Sequence, residues 1–199
     1  MKFDELHQLK RFFSIMNVSE AEKDKRCDFA FLFYDALWYT FALFKVEQKL
    51  NSEGSYGAKF DEDLFRSSIR NRISDVIESV PHDPEYLDKL VDEITDTTKR
   101  HLDDPYYFSK DRALIIAQNE ANTLFNYADY DSAVRSGKQY KVWLTENDSR
   151  VRPEHAEVDG MRIPINEYFT VGEDKMLYPH DMNASASNIV NCRCVCTYE

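Results

Sequence analysis

The feature that most restricts the possible folds of this chain is an apolar run near its N-terminus. Residues 29–46 (FAFLFYDALWYTFALFKV) span 18 positions, and Asp35 is the one charged side chain before Lys45. A run of this length reaches the threshold for a transmembrane helix. Because Asp35 lies near its middle and several residues are Tyr or Trp, we interpret the run as a buried helix of a soluble fold and expect no membrane partner.

The aromatic side chains of this run cover nearly every face of a helix. A core helix in a bundle is one interpretation. The other is a docking helix for a larger assembly, because a small bundle cannot easily bury all sides of one helix. The docking residues predicted under that second interpretation are Phe31, Trp38, Phe41 and Phe44.

Helical patterns extend to residue 137. Ser19 and Glu22 have the spacing of a capping box and predict a helix that runs to about Leu50. A loop with Gly54 and Gly57 is predicted next. Apolar spacing then predicts helices over about 64–80, from 83 into the 90s, over about 110–128, and a shorter one that ends at Gly137.

The sequence pattern changes after Gly137, where helical apolar spacing gives way to short strand-like segments. Residues 140–145 (YKVWLT) and 189–198 (IVNCRCVCTY) are typical of strands, with short apolar pieces and polar loops between them. The predicted fold class is therefore α+β, with an N-terminal helical bundle followed by a small C-terminal strand-and-loop module. The predicted domains are residues 1–137 and 138–199.

Composition excludes several classes of protein. A hydrophobic content of 43% with 5 glycines is unlike a disordered or collagen-like chain. The net charge of −11, from 25 basic and 36 acidic residues, argues against tight, sequence-independent binding of nucleic acid, although a local basic patch leaves DNA contact open. The chain has no phosphate loop, GxSxG, HExxH or dinucleotide fingerprint.

Three of the four cysteines, Cys192, Cys194 and Cys196, fall within five residues. This is not a disulfide framework, and it indicates a reducing compartment. On a regular strand, residues two apart are separated by about 6.6 Å, whereas sulfurs around one zinc ion are about 3.8 Å apart. We therefore expect no cofactor and interpret the cysteines as buried free thiols. The alternative is a zinc site of Cys192 and Cys194 with His155 or His180, and it requires the strand to bend.

A second cluster of polar residues follows the tryptophan strand. Asp148, Arg150, Arg152 and His155 lie within eight residues, and Pro153 suits the first turn of a short helix. A structural interpretation pairs Asp148 with an arginine to brace the loop. A functional interpretation makes His155 a general base or metal ligand oriented by Asp148 or Asp159.

Together these motifs resemble a known family. The run from Trp143 to Gly160 (WLTENDSRVRPEHAEVDG), then Phe169, Pro179 and Asp181, and the closing Asn191-Cys192-Arg193-Cys194, is similar to the pattern of the phage Mu F-like minor head proteins. The helix before it resembles the family's R-A-x-x-I-A-x-x-E-x-x-x-x-x-N stretch, from Arg112 to Asn126, so that the resemblance covers about residues 110–196.

The resemblance implies a non-enzymatic minor head (minor capsid) protein of a bacteriophage. Such proteins associate with the portal protein, the major capsid protein and the head interior, act in head morphogenesis, and are linked to genome packaging or delivery. The expected location is the virion, with the host cytoplasm during assembly; self-association stays open. The chain ends three residues after Cys196, which leaves no length for the catalytic domain that toxin members carry. The resemblance implies no catalytic activity for the module itself, so we expect no catalytic residues.

Under the resemblance, the family-motif residues brace the loop of a compact module. These residues are Trp143, Asp148, Arg150, Arg152, His155, Gly160, Asn191, Cys192, Arg193 and Cys194. A competing hypothesis is a metal-dependent hydrolase or nuclease that uses His155, Asp148 and the Cys192/Cys194 pair. It requires His155 to lie within about 4 Å of the thiols or of Asp148, because the ligands of one ion must converge.

Overall fold

The structure is a computed structural model that describes residues 2–52 and 60–199. Over these residues the chain forms helices followed by short antiparallel strands, which confirms the α+β class. The helices are α1 (Lys2–Phe13), α2 (Glu20–Ser52), α3 (Glu62–Glu78), α4 (Tyr86–Lys99), α5 (Lys110–Arg135), α6 (Pro153–Glu157) and α7 (Ala186–Ile189). The strands are β1 (Tyr140–Leu144), β2 (Arg162–Pro164), β3 (Phe169–Val171), β4 (Asp174–Met176) and β5 (Val195–Tyr198).

The start of α2 agrees with the sequence prediction. The Ser19 hydroxyl accepts a hydrogen bond from the Glu22 backbone N–H at 3.2 Å, as expected for an N-cap residue. The helix runs as one piece through the apolar segment, and its predicted end near residue 50 is confirmed. The predicted loop with Gly54 and Gly57 lies outside the described residues.

Two helix predictions need correction. The two helices expected between residues 110 and 137 are one continuous helix, α5, because no Gly or Pro interrupts residues 128–134. Gly137 ends it as predicted, with φ +75° and with the paired backbone hydrogen bonds of a Schellman motif. Helix α4 begins at Tyr86, whereas the predicted cap Asp83 accepts the N–H of Glu85 at 2.8 Å in the preceding turn.

The described chain divides into two compact units. One comprises Met1–Asp28 and Gln118–Glu199, and the other comprises Phe29–Ala117. Helices α2 and α5 each contribute residues to both units. The predicted domain boundary at residue 137 stays a prediction, but in this division α5 from Gln118 onward belongs with the C-terminal strands.

The unit of residues 29–117 is helical and has an aromatic core. Phe65 of α3 stacks on Phe41 and meets Phe44 edge-on, with ring centroids 6.3 and 4.8 Å away. Arg66 and Arg70 of α3 form ion pairs with acidic residues of α4 on the exposed side. The aromatic run therefore builds the core of this unit.

This burial bears on the predicted docking helix. Phe41 and Phe44 are 0% and 4% exposed, so they do not present a docking surface in this fold. Phe31 and Trp38 are half-buried. Among the α2 side chains that the structure describes, the large apolar ones that are exposed are instead Leu32, Tyr39 and Leu43. A docking role for the helix stays a prediction.

By length and composition alone, residues 20–45 of α2 are apolar enough to cross a membrane. Half of the most apolar window is buried inside the structure. Core helices of soluble proteins have the same property, so this is weak evidence for a membrane span.

The other unit contains the C-terminal strands. Strand β1 lies at the centre of a three-stranded antiparallel sheet in the order β2-β1-β5, and β3 pairs with β4 in a separate hairpin. Trp143 of β1 lies opposite Cys196 of β5. The strand predicted over residues 189–198 is formed only at 195–198, because α7 and a turn at Asn191 with φ +58° occupy the residues before it.

Candidate functional site

The candidate site surrounds the buried indole of Trp143. This side chain is fully buried, and its ring lies 5.1 Å from Phe169 and 5.8 Å from His155. The cluster around it contains Val158, Phe169, Val171, Met176, Cys192 and Cys194. Gly160 closes the loop, with φ +70° and a hydrogen bond from its N–H to the Trp143 carbonyl at 2.8 Å. The structure therefore brings together the tryptophan, the histidine and the thiols that the sequence separates.

Asp148 pairs with arginines, the contact on which the structural interpretation depends, and its role as a loop brace stays a prediction. Arg193 donates two hydrogen bonds to its carboxylate, at 2.7 and 2.8 Å, in the paired geometry of strong arginine–carboxylate contacts. Arg150 adds contacts at 3.0 and 3.2 Å from its side chain. The Arg193 contact, followed by the bonds from Arg150, holds the pKa of the Asp148 carboxyl well below its ordinary value of 3.8.

Arg152 and Asn191 hold the other side of the loop. Arg152 donates to the Val190 carbonyl. Asn191 adopts a left-handed backbone conformation that asparagine tolerates well. Its N–H donates to Asn119 at 2.8 Å, and its side-chain oxygen accepts from Gln118 at 2.6 Å, so the turn before the thiols is tied to α5.

His155 lies in α6 and is 1% exposed. Its Nδ1 is 3.4 Å from the Cys194 sulfur and 3.5 Å from the Cys192 sulfur. Its Nε2 lies 3.2 Å from the side-chain oxygen of Asn188. The predicted orientation of His155 by Asp148 or Asp159 is therefore wrong: Asp148 binds arginines, and Asp159 accepts the Thr145 N–H at 2.7 Å.

The thiols converge because their backbone is irregular. Cys192 and Cys194 precede β5 and lie outside any regular strand, so only Cys196 follows the predicted strand pattern. The Cys194 N–H donates to the Cys192 sulfur at 3.4 Å. The predicted strand is therefore wrong at Cys192 and Cys194, and the bend that a chelating pair requires is present.

The two thiols are electrostatically unequal. A side-chain hydrogen bond from the Cys194 thiol, aided by His155 and His180, lowers the pKa of the Cys192 thiol against the effect of burial. The same bond and burial raise the pKa of the Cys194 thiol. Burial also raises the pKa of Cys196 to about 12, so this third thiol stays protonated.

The motif residues line a pocket that opens to solvent. Its empty volume, including the mouth, is about 240 Å³. It is lined by Glu146, Arg150, Val151, Arg152, His155, Asn191, Cys192, Arg193 and Cys194. Asn17 donates its N–H to the Glu146 carboxylate at 2.7 Å, and burial raises the pKa of Glu146. The pocket thus combines a histidine, two thiols and positive charge.

The sequence analysis placed Asn126 in the family stretch but assigned no role in the site to it or to the other buried polar residues of α5 that contact the thiol segment. On α5, Asn119, Asn122, Thr123 and Asn126 are all buried, at the spacing i, i+3, i+4, i+7. Asn122 donates to the Cys192 carbonyl at 3.0 Å, and Asn126 donates to the Cys194 carbonyl at 3.2 Å. Polar residues that recur at the spacing of a buried helix face are the signal that would have found them.

Arg26 of α2 holds the buried asparagines of α5 in place. It is fully buried and contacts Asn122 at 3.1 Å, Asn126 at 3.2 Å and Asp129 at 3.3 Å, with Glu22 at 3.0 Å on its own helix. Burial lowers the pKa of Arg26, and the two carboxylates oppose that shift. The N-terminal segment therefore supports the same asparagines that orient the thiol segment.

Comparison with known proteins identifies the family. The family model described as Phage Mu protein F like protein matches residues 87–197, which is more than half of the chain. The chain belongs to the Phage Mu F-like protein family. This confirms the resemblance found in the sequence and extends it toward the N-terminus, through most of α4.

The chain is also similar to a curated protein. The chain is 34% identical over 87 residues to a protein of Enterococcus faecalis named NAD(+)–arginine ADP-ribosyltransferase EFV. The match covers 42% of this chain and 18% of that relative, so the chain spans about a fifth of the relative's length. No solved structure matches the chain.

Proposed function

We propose that this protein is a non-enzymatic minor component of a phage head that acts in head morphogenesis. The observation that carries this proposal is the family match over residues 87–197, which contains every residue of the loop brace and the thiol cluster. The portal protein and the major capsid protein are the proposed partners, in the head interior of the virion and, during assembly, in the host cytoplasm. We also propose that the protein takes part in genome packaging or delivery and that it self-associates.

The geometry of the loop supports a structural role. The Asp148 carboxylate is engaged by Arg193 and Arg150, and Arg152 donates to a backbone carbonyl. These charged groups build the module through internal contacts. A contact with DNA would use the arginines at the pocket, and its affinity would fall steeply with salt.

The surface proposed for docking is the exposed stripe of α2. Leu32, Tyr39 and Leu43 are 59%, 53% and 46% exposed, and their spacing of seven and four residues places them on one face of the helix. They take the role that the sequence assigned to Phe41 and Phe44. We propose that the portal protein covers this stripe.

Co-expression with the portal and major capsid proteins of the same phage tests the proposal. The wild-type chain is expected to co-purify with the portal protein, and the double variant L32E/L43E is expected to lose that binding because it places charges in the interface. Leu64→Glu is the matched control, since Leu64 is 49% exposed on α3. A monodisperse monomer that binds neither protein contradicts the proposal.

The second candidate function is a metal-dependent hydrolase or nuclease. The separations of 3.4 and 3.5 Å between His155 and the thiols meet its geometric requirement. Asp148 does not join that cluster, because arginines hold its carboxylate. Incubation of the protein with zinc and plasmid DNA is expected to give no turnover. Turnover abolished by His155→Ala would favour the enzyme.

A further inference from the structure

Three ligand-type atoms converge in the candidate site at the spacing of a metal centre. Nδ1 of His155 and the sulfurs of Cys192 and Cys194 all lie within 4.8 Å of one another. Around a tetrahedral zinc ion, with bonds of about 2.3 Å to sulfur and about 2.1 Å to nitrogen, nitrogen and sulfur are about 3.6 Å apart. The observed separations of 3.4 and 3.5 Å match that spacing.

Asn188 orients His155 through Nε2, the ring nitrogen that does not face the thiols. The Asn188 amide nitrogen donates to the Val171 carbonyl at 3.0 Å and to the Asp174 carboxylate at 2.8 Å. Its oxygen therefore faces His155 Nε2 and must accept a hydrogen bond from it, since both groups cannot act as acceptors. This fixes the proton on Nε2 and leaves the lone pair of Nδ1 directed at the thiols. Metal-bound histidines are held in the same way.

Two N–H groups adjoin the sulfurs and suit thiolates. The Cys194 N–H donates to the Cys192 sulfur at 3.4 Å. The buried indole N–H of Trp143 has no hydrogen-bond partner within the part of the chain that the structure describes. The indole packs in one buried cluster with Cys192 and Cys194. A metal-bound thiolate is a better acceptor for both groups than a neutral thiol is.

We propose that His155, Cys192 and Cys194 bind one zinc ion, with a fourth coordination position open to the pocket that the three side chains line. Two thiolates and one imidazole are ligands that zinc prefers, and three protein ligands with one exchangeable position are an established arrangement for it. On binding, each thiol releases its proton to solvent. The ion ties α6 to the segment before β5. This proposal rests on the site geometry and is independent of the role in the phage head.

Metal analysis of the full-length protein, purified without a chelating tag and dialysed against micromolar zinc, tests the site. The wild type is expected to hold about one zinc per chain. Cys192→Ser, Cys194→Ser and His155→Ala are each expected to lose it. Cys196→Ser is the matched control, because Cys196 lies in the same segment and outside the cluster; it is expected to keep the ion.

A second measurement covers the case in which the ligand variants do not fold. Cobalt loading of the Cys196→Ser variant is expected to give the visible absorption of a tetrahedral ion together with thiolate-to-cobalt charge transfer. Asn188→Ala is expected to keep full occupancy at saturating zinc but to weaken zinc affinity by roughly 10- to 100-fold, since His155 loses its orienting partner.

Three outcomes overturn the site. The first is a folded wild-type protein that binds no zinc. The second is zinc retained by the His155 or Cys194 variant. The third is rapid alkylation of Cys192 that depends on His155 and is unaffected by zinc, which would identify the cluster as a thiol–imidazole pair. A failure to bind the portal protein would leave the zinc result unchanged, so the two proposals fail separately.

Discussion

Trp143 shows how a single residue organises the C-terminal strands. Its indole is fully buried between Phe169 and His155, on a strand that pairs on both sides. A large aromatic ring in that position contributes contact area to the hairpin, to α6 and to the thiol segment together. It is therefore the residue on which the packing of the site most depends.

Replacing Trp143 with alanine should lower the free energy of unfolding by about 3–5 kcal/mol, because the cavity at a packed site cannot fully collapse. Chemical denaturation followed by circular dichroism measures this loss. Tyr168→Ala, a truncation of an aromatic side chain that is 55% exposed, should change stability by no more than about 0.5 kcal/mol. Equal effects of the two variants would refute the central role of Trp143.

The lowered pKa of Asp148 predicts how the stability of the protein changes with pH. Its pKa lies below 3.8 in the folded chain, first because of Arg193 and then because of Arg150. A carboxyl whose pKa is lowered by folding stabilises the fold fully above its unfolded pKa, and that stabilisation is lost as the pH falls. The melting temperature of the wild type should therefore drop more steeply below about pH 4 than that of Asp148→Asn. Parallel pH profiles of the two proteins would contradict this account.

At the scale of elements, helix α5 acts as a template for the thiol segment. Its buried polar stripe supplies hydrogen bonds to the Cys192 and Cys194 carbonyls, which belong to irregular backbone that no strand partner satisfies. This arrangement explains how a bent segment of small side chains is held in one conformation.

Asn126→Ala should cost about 1–3 kcal/mol of stability, since it removes partners from the buried carbonyls of Pro179 and Cys194 and from Arg26. Thermal and urea denaturation provide the measurement. Ser132→Ala, at an exposed position of the same helix, is the control and should be neutral. A neutral Asn126 variant would mean that α5 does not hold the thiol segment.

At the scale of the whole molecule, the compact unit that contains the site is discontinuous in sequence. It joins Met1–Asp28 to Gln118–Glu199. Arg26 from the first segment and the asparagines of α5 from the second share one buried network. The strands after residue 137 therefore depend on contacts that a fragment lacking α5 would not contain.

Fragments test this dependence. Residues 138–199 alone should be largely unfolded, because the carbonyls that Asn122 and Asn126 satisfy would lose their partners. Residues 110–199, which retain α5, should show more dispersed amide signals in a two-dimensional NMR spectrum and greater protection from proteolysis. Equal folding of the two fragments would restore residue 137 as the domain boundary.

The sequence by itself determined the local features of this protein. The N-cap at Ser19, the glycine at the end of α5 and the change from helices to strands after Gly137 depend on neighbouring residues, so short-range patterns predicted them. The spaced motif from Trp143 to Cys194 likewise identified the family before any coordinates. The predicted break in α5 near residue 128 was wrong, because no Gly or Pro interrupts the helix there.

The tertiary structure alone decided how the site is assembled. A period of two predicted Cys192 and Cys194 on a strand, but the turn at Asn191 and the bonds from α5 bend that segment, and these partners are about 70 residues away in sequence. His155 is oriented by Asn188, which no spacing rule connects to it. Such contacts depend on how distant segments pack. A buried polar group is removed from water, so it must form its hydrogen bonds with groups that the fold places beside it.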